Sequence, residues 1–493
     1  MTTAAEGQDE GDEPELRRLC ARCVGEAFLK ATIQRDGAVG RCDFCQRGRG
    51  RTFTLEQFAD RVEAAFEQHY VQTSTDPDSD EERAVRYGDL VWDRHGDPVA
   101  QVIGEAAGID DEPAEAIRAI LGERNYDMDL AQMGEESPFD EDSYYQRTEI
   151  YDDEFQTDWD QFERSLKSEA RFFSRSAAAT LAGVFDGICE ATTRTGGSVI
   201  RLIGPEQPLS SLYRARVLQQ PDDLEEALKR PDLHVGPPAS HVARAGRMNA
   251  RGVPVFYGAT DWEIALAEVR PPVGSNVVIA KFDVSRTLRL LDVKALGDVI
   301  VSGSIFDPTL AGRSKRAKFL QRLSARIAQP VMPEVEEFEY LVTQAMADYL
   351  ADRPDLDLDG IDFPSIQRRG KGSNVVLFHK AARLQLFDLP QDTQIQAFLH
   401  GGYDEDDDDL EWSVYEEAPA PKQNEKPEAA TTVVGGEGLM TERWSELETD
   451  VRRISLTLDA ESIVVRRIDA IQFRSRPIPV KRTRRVRSDG FDF

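Results

Sequence analysis

Apolar residues recur at helical spacing twice in the first half of the chain. Leu55, Phe58, Ala59, Val62 and Phe66 fall on one helix face behind Thr54, whose hydroxyl suits an N-cap. Trp159, Phe162, Leu166, Ala170 and Phe173 repeat the pattern. Between them, 137–160 is acid-rich and interrupted by Pro138, which predicts a long exposed loop. After 205 the period changes. The stretches 211–217, 253–257, 276–282, 288–291 and 374–378 are short and rich in Val, Ile, Phe and Tyr, and predict strands. Helices are predicted over 261–269, capped by Asp261 and stopped by Pro271 and Pro272, and over 314–328 and 334–350. The pattern is that of an α+β domain behind a mainly helical one.

Composition then separates five regions: an acidic arm (1–14), a helical cysteine-bearing domain (15–190), the α+β domain (205–388), an acidic and Pro/Gly-rich linker (404–440) and a small basic segment (441–493). The arm is too polar to fold by itself. A formal charge of −30 excludes a general polycationic nucleic-acid binder or a basic membrane-surface protein, so neither partner is expected. Of the 60 basic residues only 12 are Lys, a surface suited to concentrated salt and a halophilic source, or else to an arginine-favouring genome. The apolar run at 177–185 is about half a membrane span, and the first residues lack a signal-peptide pattern, so the expected location is cytoplasmic. The basic segment runs against the overall charge, with Arg474, Arg476, Lys481, Arg482, Arg484, Arg485 and Arg487 inside fourteen residues. Docking on an acidic surface of the same chain, binding nucleic acid, or neither are the readings open to it.

Cys20 and Cys23, then Cys42 and Cys45 eighteen residues on, have the two-knuckle spacing of a metal site, with Cys189 apart. Four thiolates complete a tetrahedral zinc and leave no open position, so a structural zinc is expected and disulfides are not. Arg41, Arg47, Arg49 and Arg51 flank the second knuckle, either as solvated charges or as a nucleic-acid contact.

Candidate chemistry concentrates after 211. Gly246-Arg247-Met248-Asn249 precedes a strand ending in Tyr257, and the next helix carries Glu268 among Ala265, Leu266, Ala267 and Val269. A carboxylate on so apolar a helix needs a partner or a role, unless it is simply solvated. Farther on come Tyr340, Thr343 and Gln344, then Asp359-Gly-Ile361, Pro364-Ser365, Gly370 and Gly372 in a loop able to approach a phosphate or ribose, and Asn374 opening a strand. Nucleophile-elbow, Walker and Rossmann motifs are missing.

In order and spacing, the blocks from Leu212-Tyr-Arg214 to Asn374-Val-Val-Leu-Phe378 resemble the RES-domain family, named for its Arg, Glu and Ser, over somewhat more than a third of the chain. The resemblance implies a fold similar to ADP-ribosyltransferases and breakdown of NAD+, typically by phosphorolysis to nicotinamide and ADP-ribose 1″-phosphate, often as a toxin countered by an antitoxin. Glycohydrolysis and ADP-ribosyl transfer to a macromolecule are the enzymatic alternatives, and an inactive module in a zinc-dependent interaction protein is the non-enzymatic one. The roles implied are Glu268 for the developing ribosyl cation, Arg214 and Arg247 for anions, Tyr257 for stacking, and Ser365 and Asn374 for hydrogen bonds to phosphate or ribose. NAD+ is then the substrate, phosphate the co-substrate, and an antitoxin or regulatory protein the expected partner. Met248 departs from the aromatic residue often found there. The first domain resembles the HEPN/RES N-terminal extension but lacks the Arg…His spacing of HEPN ribonucleases, so RNA cleavage is not expected from it.

Overall fold

The computed structural model describes residues 17–45, 47–88, 91–169, 171, 173–367, 372–399, 412–419, 450–472 and 477–479. The acidic arm, most of the linker, Gly370 and all seven residues of the basic cluster lie outside that set. The chain divides into two compact units, one of 1–199 with 293–327, the other of 200–292 with 328–493.

In the first unit, the strands Arg18–Cys20, Gly50–Thr54 and Ala38–Gly40 form an antiparallel sheet with Gly50–Thr54 in the centre. The helix Leu55–His69 follows directly because Thr54 and Gln57 cap each other: Gln57 N donates to Thr54 Oγ1 at 3.2 Å and Thr54 N to Gln57 Oε1 at 3.1 Å. Phe58, Val62 and Phe66 are buried with Leu19, Ile33, Ile103 and Ile117. Two expectations fail here. The stretch 137–160 is not one loop: Tyr144–Arg147 is the central strand between Tyr70–Gln72 and Asp97–Pro98, and a helix starts at Asp153. That helix stops at Ser168, so Phe173, with φ 61°, points into solvent, while Ala170 is outside the described residues. A third departure is larger. The helix Leu310–Ile327 belongs to this unit, with Phe319 stacked on Phe155 at 5.8 Å and tilted against Trp159 at 5.3 Å, and with Arg326 paired to Glu163 at 2.7 Å. The segment 293–327 is therefore an excursion from the α+β stretch.

The second unit is built on nine strands among the described residues, in the order Leu384–Gln385, Leu456–Arg467, Asn276–Val284, Ser211–Leu218, Phe256–Ala259, Ser373–Leu377, Gly360–Pro364, Leu288–Asp292 and Ile200–Ile203. Pairing is antiparallel except between Leu288–Asp292 and Gly360–Pro364 and between Leu384–Gln385 and Leu456–Arg467. The Phe256–Ala259 strand starts later than expected because Pro254 has no N–H to give a ladder. One sheet face packs Phe256, Val278, Phe282, Leu290, Val375 and Leu377 into the main core. The other carries the helix Trp262–Glu268, whose Ile264 and Ala265 bury against Ala215, Ala259, Val277 and Ile279.

The described part of the segment after 441 does not stand apart but supplies a strand of this sheet. Leu456–Arg467 pairs with Asn276–Val284 from Val284↔Leu456 to Asn276↔Arg467 through one irregularity, with Leu456 and Leu458 in the core. It also reaches the opposite face: the Arg466 guanidinium lies 3.9 Å over the Trp262 ring, and Ile468 joins the cluster around Ile264. Within the expected linker, Ser413–Glu417 pairs antiparallel with Gln394–Phe398. No described helix is long and apolar enough to cross a membrane.

Candidate active site

Asp261 caps the short helix by accepting from Glu263 N at 2.8 Å, and Glu268 is its last residue. A carboxylate at that end opposes the helix dipole and weakens the helix by about 0.3–1 kcal/mol, so stability does not account for it. Two buried side chains from neighbouring strands hold it instead. The register Phe363↔Asn374 puts Asn374 on the helix-bearing face, and Ser365, two residues beyond Phe363, emerges on the same side. Ser365 Oγ (3.1 Å) and Asn374 Nδ2 (2.7 Å) both donate to Glu268 Oε1. No described residue donates to Oε2. Residues about a hundred positions apart thus meet on one carboxylate, which is more exposed than the apolar run around it implies.

The arginines stand beside it. Arg214, on a central strand, donates from Nη1 to Tyr257 O at 3.1 Å, and its buried Nε has no partner among the described residues. Burial, with repulsion from Arg216, pushes its guanidinium down to about 10, still protonated at neutral pH. A buried cation left in this condition is what an incoming anion would satisfy. Arg247 donates from Nη2 to Gln329 O at 3.2 Å. Its burial lowers its pKa, while Tyr340, Glu268 and Tyr257 act in the opposite direction.

The loop carrying Arg247 is held more firmly than the sequence suggested. Tyr257 Oη donates to Asn249 Oδ1 and accepts from Met248 N, both at 2.9 Å. Asn249 Nδ2 donates to the carbonyls of Arg244, Ala250 and Val253. From the helix Glu336–Asp352, Thr343 Oγ1 donates to Arg247 O (2.5 Å) and Gln344 Nε2 to Gly246 O (2.8 Å). A Cβ at Gly246 would meet Tyr257 Oη at 2.5 Å, so only glycine fits. The Tyr257 ring lines the cleft, but its hydroxyl is consumed in bracing the loop. Asn249, Thr343 and Gln344 were visible as motif residues without a role; their hydrogen bonds supply it.

Together these groups border a cleft of about 400 Å³ lined by Arg214, Arg247, Tyr257, Glu268, Tyr340 and Asn374. This is within the usual range for small-molecule sites, and it offers cations beside the carboxylates of Glu268 and Glu336. Ser365 stands behind Glu268, outside the lining.

In the first unit, Cys20 ends its strand, Cys23 turns back to donate N–H to Cys20 O at 3.0 Å, and Asp43 N, donating to Arg18 O at 2.9 Å, brings the second knuckle alongside. The Sγ separations are 3.6 Å (Cys20–Cys23), 3.7 Å (Cys20–Cys45) and 3.9 Å (Cys23–Cys42), and all four sulfurs lie within 4.8 Å of one another. Sulfurs about 2.3 Å from a tetrahedral ion stand about 3.8 Å apart, so the cluster has the dimensions of a metal cage. Burial raises the thiols of Cys23 and Cys42, whereas the Arg47 backbone N–H lowers Cys45 to about 7. Arg41, Arg47, Arg49 and Arg51 are all exposed.

No curated protein matches the chain. Residues 212–398 match the family model of the RES domain, a span holding every residue of the cleft, and residues 35–180 match HEPN/RES N-terminal domain 1. The chain therefore carries a RES domain behind a HEPN/RES N-terminal domain.

Proposed function

We propose that the RES unit, with a fold similar to ADP-ribosyltransferases, cleaves NAD+ by phosphorolysis. The observation that carries this is the Glu268 carboxylate, held on one oxygen by Ser365 and Asn374 beside Arg214 and Arg247. The bond from the ribose carbon to the nicotinamide nitrogen breaks and its electron pair stays on nitrogen, leaving neutral nicotinamide and positive charge on the ribosyl carbon. A carboxylate near that carbon stabilises the charge. An oxygen of hydrogen phosphate then supplies the pair for the new bond, and its proton passes to solvent, giving ADP-ribose 1″-phosphate. Arg214 and Arg247 hold the dinucleotide's pyrophosphate, for which a guanidinium fork is the matching donor. Ser365 acts through Glu268, since its hydroxyl is spent on that carboxylate. Depletion of NAD+ would arrest growth, so the toxin-like role and a neutralising partner protein belong to the same proposal.

The test is incubation of the full chain with NAD+, with and without phosphate and at low and high salt, following products by chromatography and mass spectrometry. Phosphorylated ADP-ribose that appears only with phosphate is the expected result. Free ADP-ribose alone, or label on a macromolecule, rejects phosphorolysis.

For the cysteine cage the proposed ion is zinc in a structural role. Elemental analysis should find one zinc per chain. Cys42→Ser should lose it and lower the melting temperature of the first unit while NAD+ turnover is retained; full zinc content in this variant removes the assignment.

A further inference from the structure

Two residues past Glu268 the backbone turns left-handed at Arg270, φ 43°, a conformation that residues with a side chain avoid unless their surroundings hold them there. Pro271 follows and bars a further helical turn. The turn leaves Arg270 on the cleft wall with Arg247, Tyr340 and Gln367. Gln367, with its amide oxygen turned to the guanidinium, accepts from Arg270 Nε and Nη2, both at 3.1 Å. That partner is neutral: it sets the plane of the guanidinium and leaves its charge uncancelled. Arg270 makes no ion pair among the described residues, and its field reaches Tyr340 together with that of Arg247.

Phosphorolysis needs two anions in one cleft, the pyrophosphate of the dinucleotide and the attacking phosphate. They repel each other, and Glu268 repels the second as it nears the ribose. A separate cation close to the carboxylate has to reverse that repulsion. Arg270 meets the condition, because only Val269 separates it from Glu268 and both face the same cleft.

We infer that Arg270, oriented by Gln367, forms the subsite for the inorganic phosphate co-substrate and so decides between phosphate and water as nucleophile. This rests on the phosphorolytic reading above. Steady-state kinetics of R270A, R270K and Q367A against both substrates test it. R270A should raise the KM for phosphate about tenfold or more, leave the KM for NAD+ within about twofold, and increase the share of free ADP-ribose; R270K, which keeps the charge without the fork, should recover only part of the affinity. Q367A keeps the cation and should show a smaller shift of the same kind, which guards against a folding defect in R270A. A wild-type enzyme that phosphorolyses NAD+ while R270A keeps its phosphate KM and product ratio overturns the Arg270 subsite alone. A rise in the NAD+ KM instead assigns Arg270 to the dinucleotide and overturns it likewise. Phosphate-independent products from the wild type overturn the phosphorolytic reading and the subsite together.

Discussion

Glu268→Gln folds as the wild type and binds NAD+, but turns it over about 100- to 1,000-fold more slowly. The amide keeps an oxygen where Ser365 Oγ and Asn374 Nδ2 donate, so the local hydrogen bonds survive and the negative charge goes. At the C-terminal end of its helix the charge is unfavourable to stability, so the melting temperature should hold or rise slightly. Arg247→Ala gives the complementary pattern, a raised KM for NAD+ before any comparable loss of kcat. Rapid-quench turnover with equilibrium binding of NAD+ separates the two. Full activity in both variants removes Glu268 and Arg247 from the site, and a Glu268→Gln enzyme that fails to bind NAD+ reassigns the carboxylate to binding.

Ending the chain at residue 453 should cost the second unit its cooperative fold and all NAD+ turnover. The cut lies outside the RES match, which stops at 398, yet it removes a strand that pairs along Asn276–Val284. Leu456 and Leu458 are 0% and 5% exposed, and losing two such side chains removes about 3–6 kcal/mol, against the roughly 5–15 kcal/mol that holds a typical domain together. The cut also uncovers Trp262, the first residue of the Glu268 helix, by removing Arg466. Thermal unfolding of the truncated chain by near-ultraviolet circular dichroism checks the first effect. A peptide of residues 450–472 added back should restore part of the signal and of the turnover. A 1–453 chain that melts like the full protein would show the strand to be an ornament of the sheet.

Features carried by neighbouring residues were legible. Thr54 caps the helix that follows it from within its own stretch of chain, and four cysteines at knuckle spacing need only a short sheet to meet. The motif order singled out Glu268, Ser365 and Asn374, but with the last two as donors to phosphate or ribose, whereas both donate to the Glu268 carboxylate. What escaped depends on partners distant in sequence. The 456–467 stretch has two inward leucines before its charged middle, a pattern too brief to announce a core strand. Leu310–Ile327 carries the same helical signal wherever it packs, and its place is set by Phe155 and Trp159. Tyr257 reads as an aromatic for stacking because nothing in its own stretch of chain shows that Asn249 and Met248 occupy its hydroxyl.

The position of Leu456–Arg467 also imposes an order in time. Leu456 pairs with Val284, 172 residues earlier, and at about 5–20 residues per second a ribosome takes roughly 10–35 s to cover that distance. Throughout that interval Asn276–Val284 has one open edge, with Val278 and Phe282 short of their cover. Each nascent chain therefore carries its cleft residues well before the sheet beneath them is closed. Translation itself separates the appearance of the polypeptide from the appearance of its activity.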